Sequence, residues 1–534
     1  MFPPRRKWAK FRLKRRKSGQ DSQRLNKAAL TRAVKFLMVR ESNLPWVQKL
    51  KSKAFSIRSR VLVELPFSFQ SPLVLAVEKD PKIHTFRPLV IYNLEDKIIE
   101  CLVARYLRES LDFLFLPSAL AFRTRRENQA QPVTTHTALE RIMRINAKYS
   151  KLFVAEADIR AFFDCVCHSR VKELFADLTE EATRARPSWK IEQRSVDILD
   201  AYLASYSFKN QVLGQGLSDL MKKNQKATFP WPDEALQNLH EKCDLSGIGV
   251  PQGGALSCFI ANLVLHKADK DIENLRKKRK QALCYMRYCD DMIILSPTRA
   301  TCQAALAVYK TSLAAQKLPL HELEDTIEYK GKGRRSFWTK KSKNTYRWGH
   351  SSMGIPWVQF VGYQVRHDGL VRVRPKSLKK HLTKLTTATN EMLNVINPRS
   401  IRNEGCPVYA SGIQKNAREI QHRFRMKLLS LAVGRRILGQ KMPETSDEIM
   451  PMCWAKGFKG LRQFPHIRAH LKLLDRHRER QLRRIVSRLR HFPKPVPTAA
   501  DDTLPRRHIR YYGSPFSYHG QFGETGPTVN QSKI

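Results

Sequence analysis

Leu283-Cys284-Tyr285-Met286-Arg287-Tyr288-Cys289-Asp290-Asp291-Met292-Ile293-Ile294-Leu295 decides the reading of this chain. Two apolar runs, 283–288 and 292–295, flank a pair of carboxylates, the pattern of a strand, a tight turn and a returning strand. Such a hairpin is expected to carry Asp290 and Asp291 at its exposed end. Adjacent carboxylates repel, so a local reason for them is wanted. A divalent cation supplies one, because hard Mg²⁺ prefers carboxylate oxygens. An Asp-rich turn with no further role is the plainer alternative when the pair stands alone.

It does not stand alone. Upstream, Leu152-Phe153-Val154-Ala155-Glu156-Ala157-Asp158-Ile159-Arg160-Ala161-Phe162-Phe163-Asp164 is an apolar strand that ends at an acid and breaks into a turn. A carboxylate at a strand end reaches a cleft without being buried in the sheet. A site holding two ions roughly 3.5 to 4 Å apart needs more carboxylate oxygens than one Asp-Asp pair supplies conveniently, which favours Asp158 as a third ligand. A helix cap suits Asp164 better. Between the acids lies Gly247-Ile248-Gly249-Val250-Pro251-Gln252-Gly253-Gly254-Ala255-Leu256-Ser257, a Gly-rich turn entering a helix. It would let a ligand approach the backbone and expose unpaired N–H groups. No Lys-Ser or Lys-Thr closes it, so it is not a Walker loop.

Two basic elements precede these. His84-Thr85-Phe86-Arg87-Pro88-Leu89-Val90-Ile91 is a short strand carrying Arg87, followed by a helix from about Leu94; Ala121-Phe122-Arg123-Thr124-Arg125-Arg126 adds further guanidinium groups. Arg suits phosphate because its planar fork binds two oxygens at once. The whole chain leans the same way. Its 534 residues, enough for two to four packed units, hold 97 Lys plus Arg against 48 Asp plus Glu, a formal charge of +49. A solvated basic surface would suffer that self-repulsion for nothing, so a polyanion, ordinarily nucleic acid, is the expected partner.

The ten cysteines form no Cys-x-x-Cys, which speaks against a disulfide frame or zinc site. No apolar run approaches the roughly 18 residues needed to cross a bilayer, so a soluble, cytoplasmic protein is expected. Residues 1–20 carry nine Lys or Arg and no acid, without an apolar stretch behind them. They read as an arm for nucleic acid, a transit peptide being the alternative. An amphipathic helix is expected over 23–39. Beyond the acids, apolar periodicity over Lys376–Asn397 interleaved with Lys379, Lys380 and Lys384 predicts a helix with one basic face. A second helical region spans about Gln414–Gln440. Leu471–Leu489 sets an apolar stripe against seven arginines between Arg476 and Arg490 and reads as an RNA-binding helix. From Pro493 the composition turns Pro-rich and polar, ending in a tail with Tyr511, Tyr512, Phe516 and Tyr518.

Taken together, Arg87-Pro88-Leu89 with Asp96, Ala121-Phe122-Arg123, Asp158 to Asp164, Pro251-Gln252-Gly253-Gly254, Tyr288-Cys289-Asp290-Asp291 and Phe360-Val361-Gly362-Tyr363 resemble, in order, the motifs of reverse transcriptases. The resemblance covers roughly residues 60–400. It is closest in style to the bacterial group II intron-like branch, and the stretch Gly362–Arg374 with the Lys-rich helix after it is similar to the defence-associated, unknown-group reverse transcriptases.

The resemblance implies an α+β, right-hand polymerase fold of fingers, palm with an antiparallel sheet, and helical thumb. The domains would be a basic N-terminal arm and helix (1–59), fingers and palm (60–370), thumb (371–400), an α-helical Arg-rich RNA-binding extension (401–492), and a linker with aromatic tail (493–534). Asp158, Asp290 and Asp291, with the Ile159 carbonyl, would hold two Mg²⁺ ions, Mn²⁺ being a substitute. Arg87 and Arg123 would contact nucleotide or template. Gln252 and Gly253 would line the nucleotide pocket, and Phe163 would be the steric gate that excludes a ribose 2′-hydroxyl. Cys289 departs from the Ala, Met or Gly often found there. Lys330 would be a general acid for pyrophosphate, with a solvated lysine as the alternative. The implied activity is RNA-directed DNA synthesis from deoxynucleoside triphosphates, making cDNA on a dedicated structured non-coding RNA template in antiviral defence, with a homo-oligomer allowed for. A maturase-like RNA-binding protein and an RNA-organised scaffold are the alternatives.

Overall fold

The computed structural model describes residues 45–80, 85–123, 133, 135–214, 245–324, 337–350, 354–396, 417–433, 461 and 463–490. The basic arm, the helix expected over 23–39, Arg125, Arg126, Lys330 and everything from residue 491 on lie outside them. The chain divides into two compact units that part between Pro356 and Trp357, inside the 60–370 stretch expected as one domain.

The first unit opens with helix α1 (Pro45–Val63) and an antiparallel ribbon of β1 (Leu73–Asp80) and β2 (Thr85–Ile91). Helices α2 (Leu94–Leu111) and α3 (Thr135–Lys148) lead to strand β3 (Leu152–Ala157). The single-turn α4 (Phe162–Cys165) follows, then α5 (His168–Ala185), α6 (Gln193–Ala204) and the long α7 (Ala255–Arg279). Strands β4 (Cys284–Tyr288) and β5 (Asp291–Ser296), helix α8 (Arg299–Ala315), and strands β6 (Leu323–Glu324) and β7 (Ser342–Trp348) complete it.

A five-stranded sheet in the order β4-β5-β3-β7-β6 organises this unit; its pairs are antiparallel except β6 with β7. Continuous apolar runs such as Met292-Ile293-Ile294-Leu295 suit strands covered on both faces. All four of those residues are buried. Helix α7 is apolar nearly all round in its first half, as an interior helix must be. It buries Leu256, Phe259, Ile260, Leu263 and Val264 and packs against α2, α5 and α8. Each such side chain contributes about 1.5–3 kcal/mol by leaving water, so α7 is the axis on which the Gly-rich turn is mounted.

The second unit pairs β8 (Trp357–Phe360), β9 (Tyr363–Arg366) and β10 (Val371–Val373) in the order β10-β9-β8, with helices α9 (Pro375–Val395), α10 (Ala417–Val433) and α11 (Pro465–Leu489). Phe360-Val361-Gly362-Tyr363, the last of the motifs that carry the resemblance, is a hairpin turn: Phe360 pairs with Tyr363, and Val361 and Gly362 take φ of 42° and 90°. Two positive φ values are what a two-residue hairpin loop of type I′ demands, and Gly362 supplies one of them freely. The Arg-rich helix α11, expected in an extension separate from the thumb, packs on α9, α10 and β10. Ile467, Leu471, Leu474, Leu482, Ile485 and Leu489 form its buried stripe, which is too apolar to be left in water. Among the described residues no helix is long and apolar enough to cross a membrane.

Candidate active site

Strand register assembles the acids. Strands β4 and β5 pair from Cys284 with Leu295 to Tyr288 with Asp291, which leaves Cys289 and Asp290 as a two-residue turn. Cys289 takes φ 64° there, a conformation that costs an L-residue roughly 1–2 kcal/mol. Strand β3 lies on the other side of β5, its last pair being Ala157 with Met292. One step further along β3 is Asp158, which therefore arrives beside the hairpin tip. The two carboxylates sense each other: burial first, then the charge of Asp158, raises the Asp290 carboxyl above the usual carboxylate range. Asp290 is half-buried, whereas Asp291 heads β5 as an exposed residue.

The backbone around Asp158 is fixed from two directions. Its N–H donates to Ser342 Oγ (3.1 Å) and its carbonyl accepts from the His321 N–H (3.1 Å). Ile159 forms an isolated bridge with Leu320, but the bridging hydrogen bonds are made by Asp158 and Arg160, so the bridge does not consume the Ile159 carbonyl. Lys341 Nζ lies 3.2 Å from Asp158 Oδ2 and also lowers the Asp290 pKa, and His321 Nε2 is 3.6 Å from the same oxygen. A cation thus already sits against Asp158 and is felt at Asp290. Among the described residues no three His, Cys, Asp or Glu side chains gather closely enough to form a ready metal cage. The donor chemistry nevertheless fits a hard cation: two mutually repelling carboxylates share one end of the sheet, a third is adjacent in sequence, and an ammonium group offsets part of their charge.

Sequence reasoning missed Lys341. The lysine it favoured, Lys330, lies outside the described residues. Along the chain Lys341 is distinguished only by its place immediately before strand β7.

The Gly-rich turn is held more tightly than its composition suggests. Gly253, at φ 86°, requires glycine by conformation; Gly254 requires it by space, since a Cβ there would collide with the Tyr202 hydroxyl. The expectation of exposed, unpaired N–H groups is corrected. The N–H groups of Ala255 and Leu256, the first of α7, both donate to Glu100 Oε1, a fully buried carboxylate from α2 that also pairs with Lys97. A negative side chain at a helix N-terminus answers the orphan donors and the dipole together, so the chain fills this anion site itself. Gln252 is oriented by its Nε2 donating to Asp164 Oδ1 (2.9 Å). Asp164 is not a helix cap: it sits inside α4, whose N-cap position is Ala161 at φ 49°. Phe163, next to Asp164 in sequence, is half-buried, its carbonyl accepting from the Val250 N–H (2.7 Å).

The two arginines part company. Arg87 is exposed on β2, opposite Val77. Two residues along the same face, Leu89 comes within 3.8 Å of where a Gly253 Cβ would stand, so this face borders the Gly-rich turn. Arg123, expected to contact nucleotide or template, is engaged within the chain itself. Its Nε donates to Asp112 Oδ1 (2.8 Å), Nη1 to the carbonyls of Leu116 and Ala119, and Nη2 to those of Asp112 and Phe115. All five guanidinium donors are spent on one loop, and the side chain is 5% exposed.

Residues 77–323, which span these elements from β1 to β6, match the family profile described as reverse transcriptase (RNA-dependent DNA polymerase). No curated protein sequence matches the chain. Similar solved structures include telomerase from Candida albicans in complex with a TWJ fragment of telomeric RNA, at 11% identity over 78% of this chain and 61% of that one, TM-score 0.31. Another is apo telomerase from Candida tropicalis truncated from its C-terminal domain, at 12% identity over 60% of each chain, TM-score 0.29. The chain spans about three-fifths of the length of these proteins.

Proposed function

We propose that this chain, with its reverse transcriptase domain at residues 77–323, is an RNA-directed DNA polymerase whose chemistry is centred on Asp158, Asp290 and Asp291. The observation that carries the reading is the strand register that brings Asp158 beside the β4–β5 turn, where its charge is felt at Asp290. The five-stranded sheet serves as palm, the β1–β2 ribbon with α2 as fingers, and α9 with the helices packed on it as thumb.

Asp158, Asp290 and Asp291, with the Ile159 carbonyl, would hold Mg²⁺. When bound, that metal lowers the pKa of a primer 3′-hydroxyl and offsets charge on the pyrophosphate. The remaining work falls to the chain. Arg87 reaches the triphosphate from the exposed face of β2. Gln252, aimed by Asp164, and Gly253 border the nucleotide, and the Phe163 ring excludes a 2′-hydroxyl. Lys341 takes the part expected of Lys330, since its Nζ lies 3.2 Å from Asp158 Oδ2, within reach of an oxygen leaving beside that carboxylate. The template is a dedicated structured non-coding RNA and the setting antiviral defence. Both rest on the similarity of residues 362–374 and the helix after them to the defence-associated branch.

The test is to sequence RNA and DNA co-purified with wild type and with the Asp290→Ala, Asp291→Ala double variant, and to assay both for deoxynucleotide incorporation on primed RNA. One RNA bound by both proteins, with complementary DNA only in wild type, is expected. Incorporation surviving in the double variant removes the site assignment. RNA bound by both, with no DNA made on any primed template or during phage challenge, removes the polymerase reading.

A further inference from the structure

Arg287 precedes the Tyr288-Cys289-Asp290-Asp291 turn on β4, and it is wholly buried. An interior guanidinium is tolerated only when it is paired and hydrogen-bonded, and here each of its three nitrogens finds an acceptor. Nε lies 2.8 and 3.0 Å from the two Asp269 carboxylate oxygens, and Nη2 donates to Asp269 Oδ2 (2.7 Å) and, more weakly, to the Asn262 carbonyl (3.4 Å). Nη1 donates to Asn262 Oδ1 (2.9 Å). Tyr285, two residues back on β4, donates its hydroxyl to Asp269 Oδ1 (2.9 Å). Asp269 and Asn262 both belong to α7, the helix that the Gly-rich turn enters.

The same residues reach the basic element upstream. Asn262 Nδ2 donates to the Ala121 carbonyl (2.9 Å), the Arg287 N–H donates to the Ser118 carbonyl (3.0 Å), and the Leu120 N–H donates to the Arg287 carbonyl (3.0 Å). Arg123 then ties residues 112–119 into one knot. Three sequence motifs, the Arg123 element, the Gly-rich turn with its helix and the Asp290 hairpin, are therefore joined beneath the acids by one buried polar spine.

We infer that Arg287 is a positioning residue for nucleotide incorporation: through Asp269 and Asn262 it fixes the Asp290 turn relative to the Gln252 turn at the head of α7. The inference rests on the polymerase reading of the site. Stability alone would not call for this construction, because an apolar pair of similar volume commonly holds a fold as well as a buried ion pair does. Fixed direction is what the spine adds. Three planar groups locked by paired hydrogen bonds cannot slide, whereas apolar side chains can repack.

The test exploits that difference. In full-length protein, Arg287→Met with Asp269→Leu removes both charges together and leaves neither stranded. The double variant is expected to unfold cooperatively near the wild-type temperature and to bind primed RNA with unchanged Kd. Its kcat for deoxynucleotide incorporation should fall tenfold or more, and amide exchange at residues 288–292 should quicken. A folded double variant with wild-type kcat and wild-type exchange overturns the inference. Should that variant fail to fold, Asn262→Ala, which removes no charge, is read by the same two measurements with the same meanings. Wild type assayed in parallel separates the readings: if it incorporates nothing, the polymerase reading fails, and amide exchange alone then decides whether the spine holds the turn.

Discussion

Asp290 is half-buried beside a second carboxylate, and both burial and Asp158 raise its pKa. A carboxyl whose folded pKa is raised contributes stability while protonated, below its unfolded value near 3.9, and loses that contribution as pH climbs through the folded value. At neutral pH without divalent cation the site therefore strains the fold. Asp290→Asn is expected to melt at higher temperature than wild type at pH 7 in chelator, with the gap closing near pH 3 and with Mg²⁺ narrowing it at pH 7. The same change should reduce incorporation at least about a hundredfold, since metal-site partners one shell further out already cost about 10–100-fold. A gap that persists undiminished at pH 3 would assign the effect to packing instead. Cys289 offers a backbone test. Gly would relieve the roughly 1–2 kcal/mol of its positive φ but restore about 0.5–1 kcal/mol of unfolded-state entropy. Cys289→Gly should therefore stay within about 1 kcal/mol of wild type in denaturant melts, while β-branched Cys289→Val loses at least as much as the strain itself. The acids were legible at this scale because like charges side by side are conspicuous. Lys341 was not, since a lone lysine gains meaning only when the fold sets it 3.2 Å from Asp158.

Elements were legible where periodicity and punctuation agreed. The β4–β5 hairpin, the helix after Asn93 and the helix after the Gly-rich turn stand where apolar spacing puts them. What spacing cannot show is which element answers another's polar groups. Glu100 lies in the helix expected from about Leu94, and its carboxylate closes the N-terminus of α7 and denies that terminus to a phosphate. Arg123 looked like a ligand-binding arginine, yet it knots residues 112–119. Its knot predicts a clean dissociation of stability from binding. Arg123→Ala removes the guanidinium paired with Asp112, which is as buried as its partner, and breaking such a pair costs about 3–5 kcal/mol. Urea melts should show that loss, while the nucleotide KM of the folded fraction at low temperature stays within about twofold of wild type. Arg87→Ala should do the reverse, raising KM with little change in the melt, because substitution of an exposed strand residue ordinarily shifts stability by no more than about 0.5 kcal/mol either way. A matched rise in KM for both variants would return Arg123 to the nucleotide pocket.

Over the whole molecule, a formal charge of +49 announces a polyanionic partner, but a sum does not say where the charge is presented. Helix α11 gives part of that answer. Its buried stripe of Ile467, Leu471, Leu474, Leu482 and Ile485 fixes the rotation of the helix, and Lys472, Arg476 and Arg480, spaced four residues apart, are left exposed. At 1.5 Å per residue they recur every ~6 Å, a row of cations along one rod that contains no Phe, Tyr or Trp. Such a row suits phosphates more than bases, because unpaired bases are gripped largely by stacking on aromatic rings. Each phosphate neutralised releases condensed counterions, so binding should weaken steeply with salt. Replacing Lys472, Arg476 and Arg480 together by Gln should lower RNA affinity at low salt and reduce the slope of log K against log salt by about 2–3, at ~0.7–0.9 for each phosphate left without its cation. The folded state should be untouched, since the buried stripe is unchanged. If the slope stays at its wild-type value while the protein remains folded, the phosphates are held elsewhere on the chain, and α11 is a solvated face whose arginines merely keep it soluble.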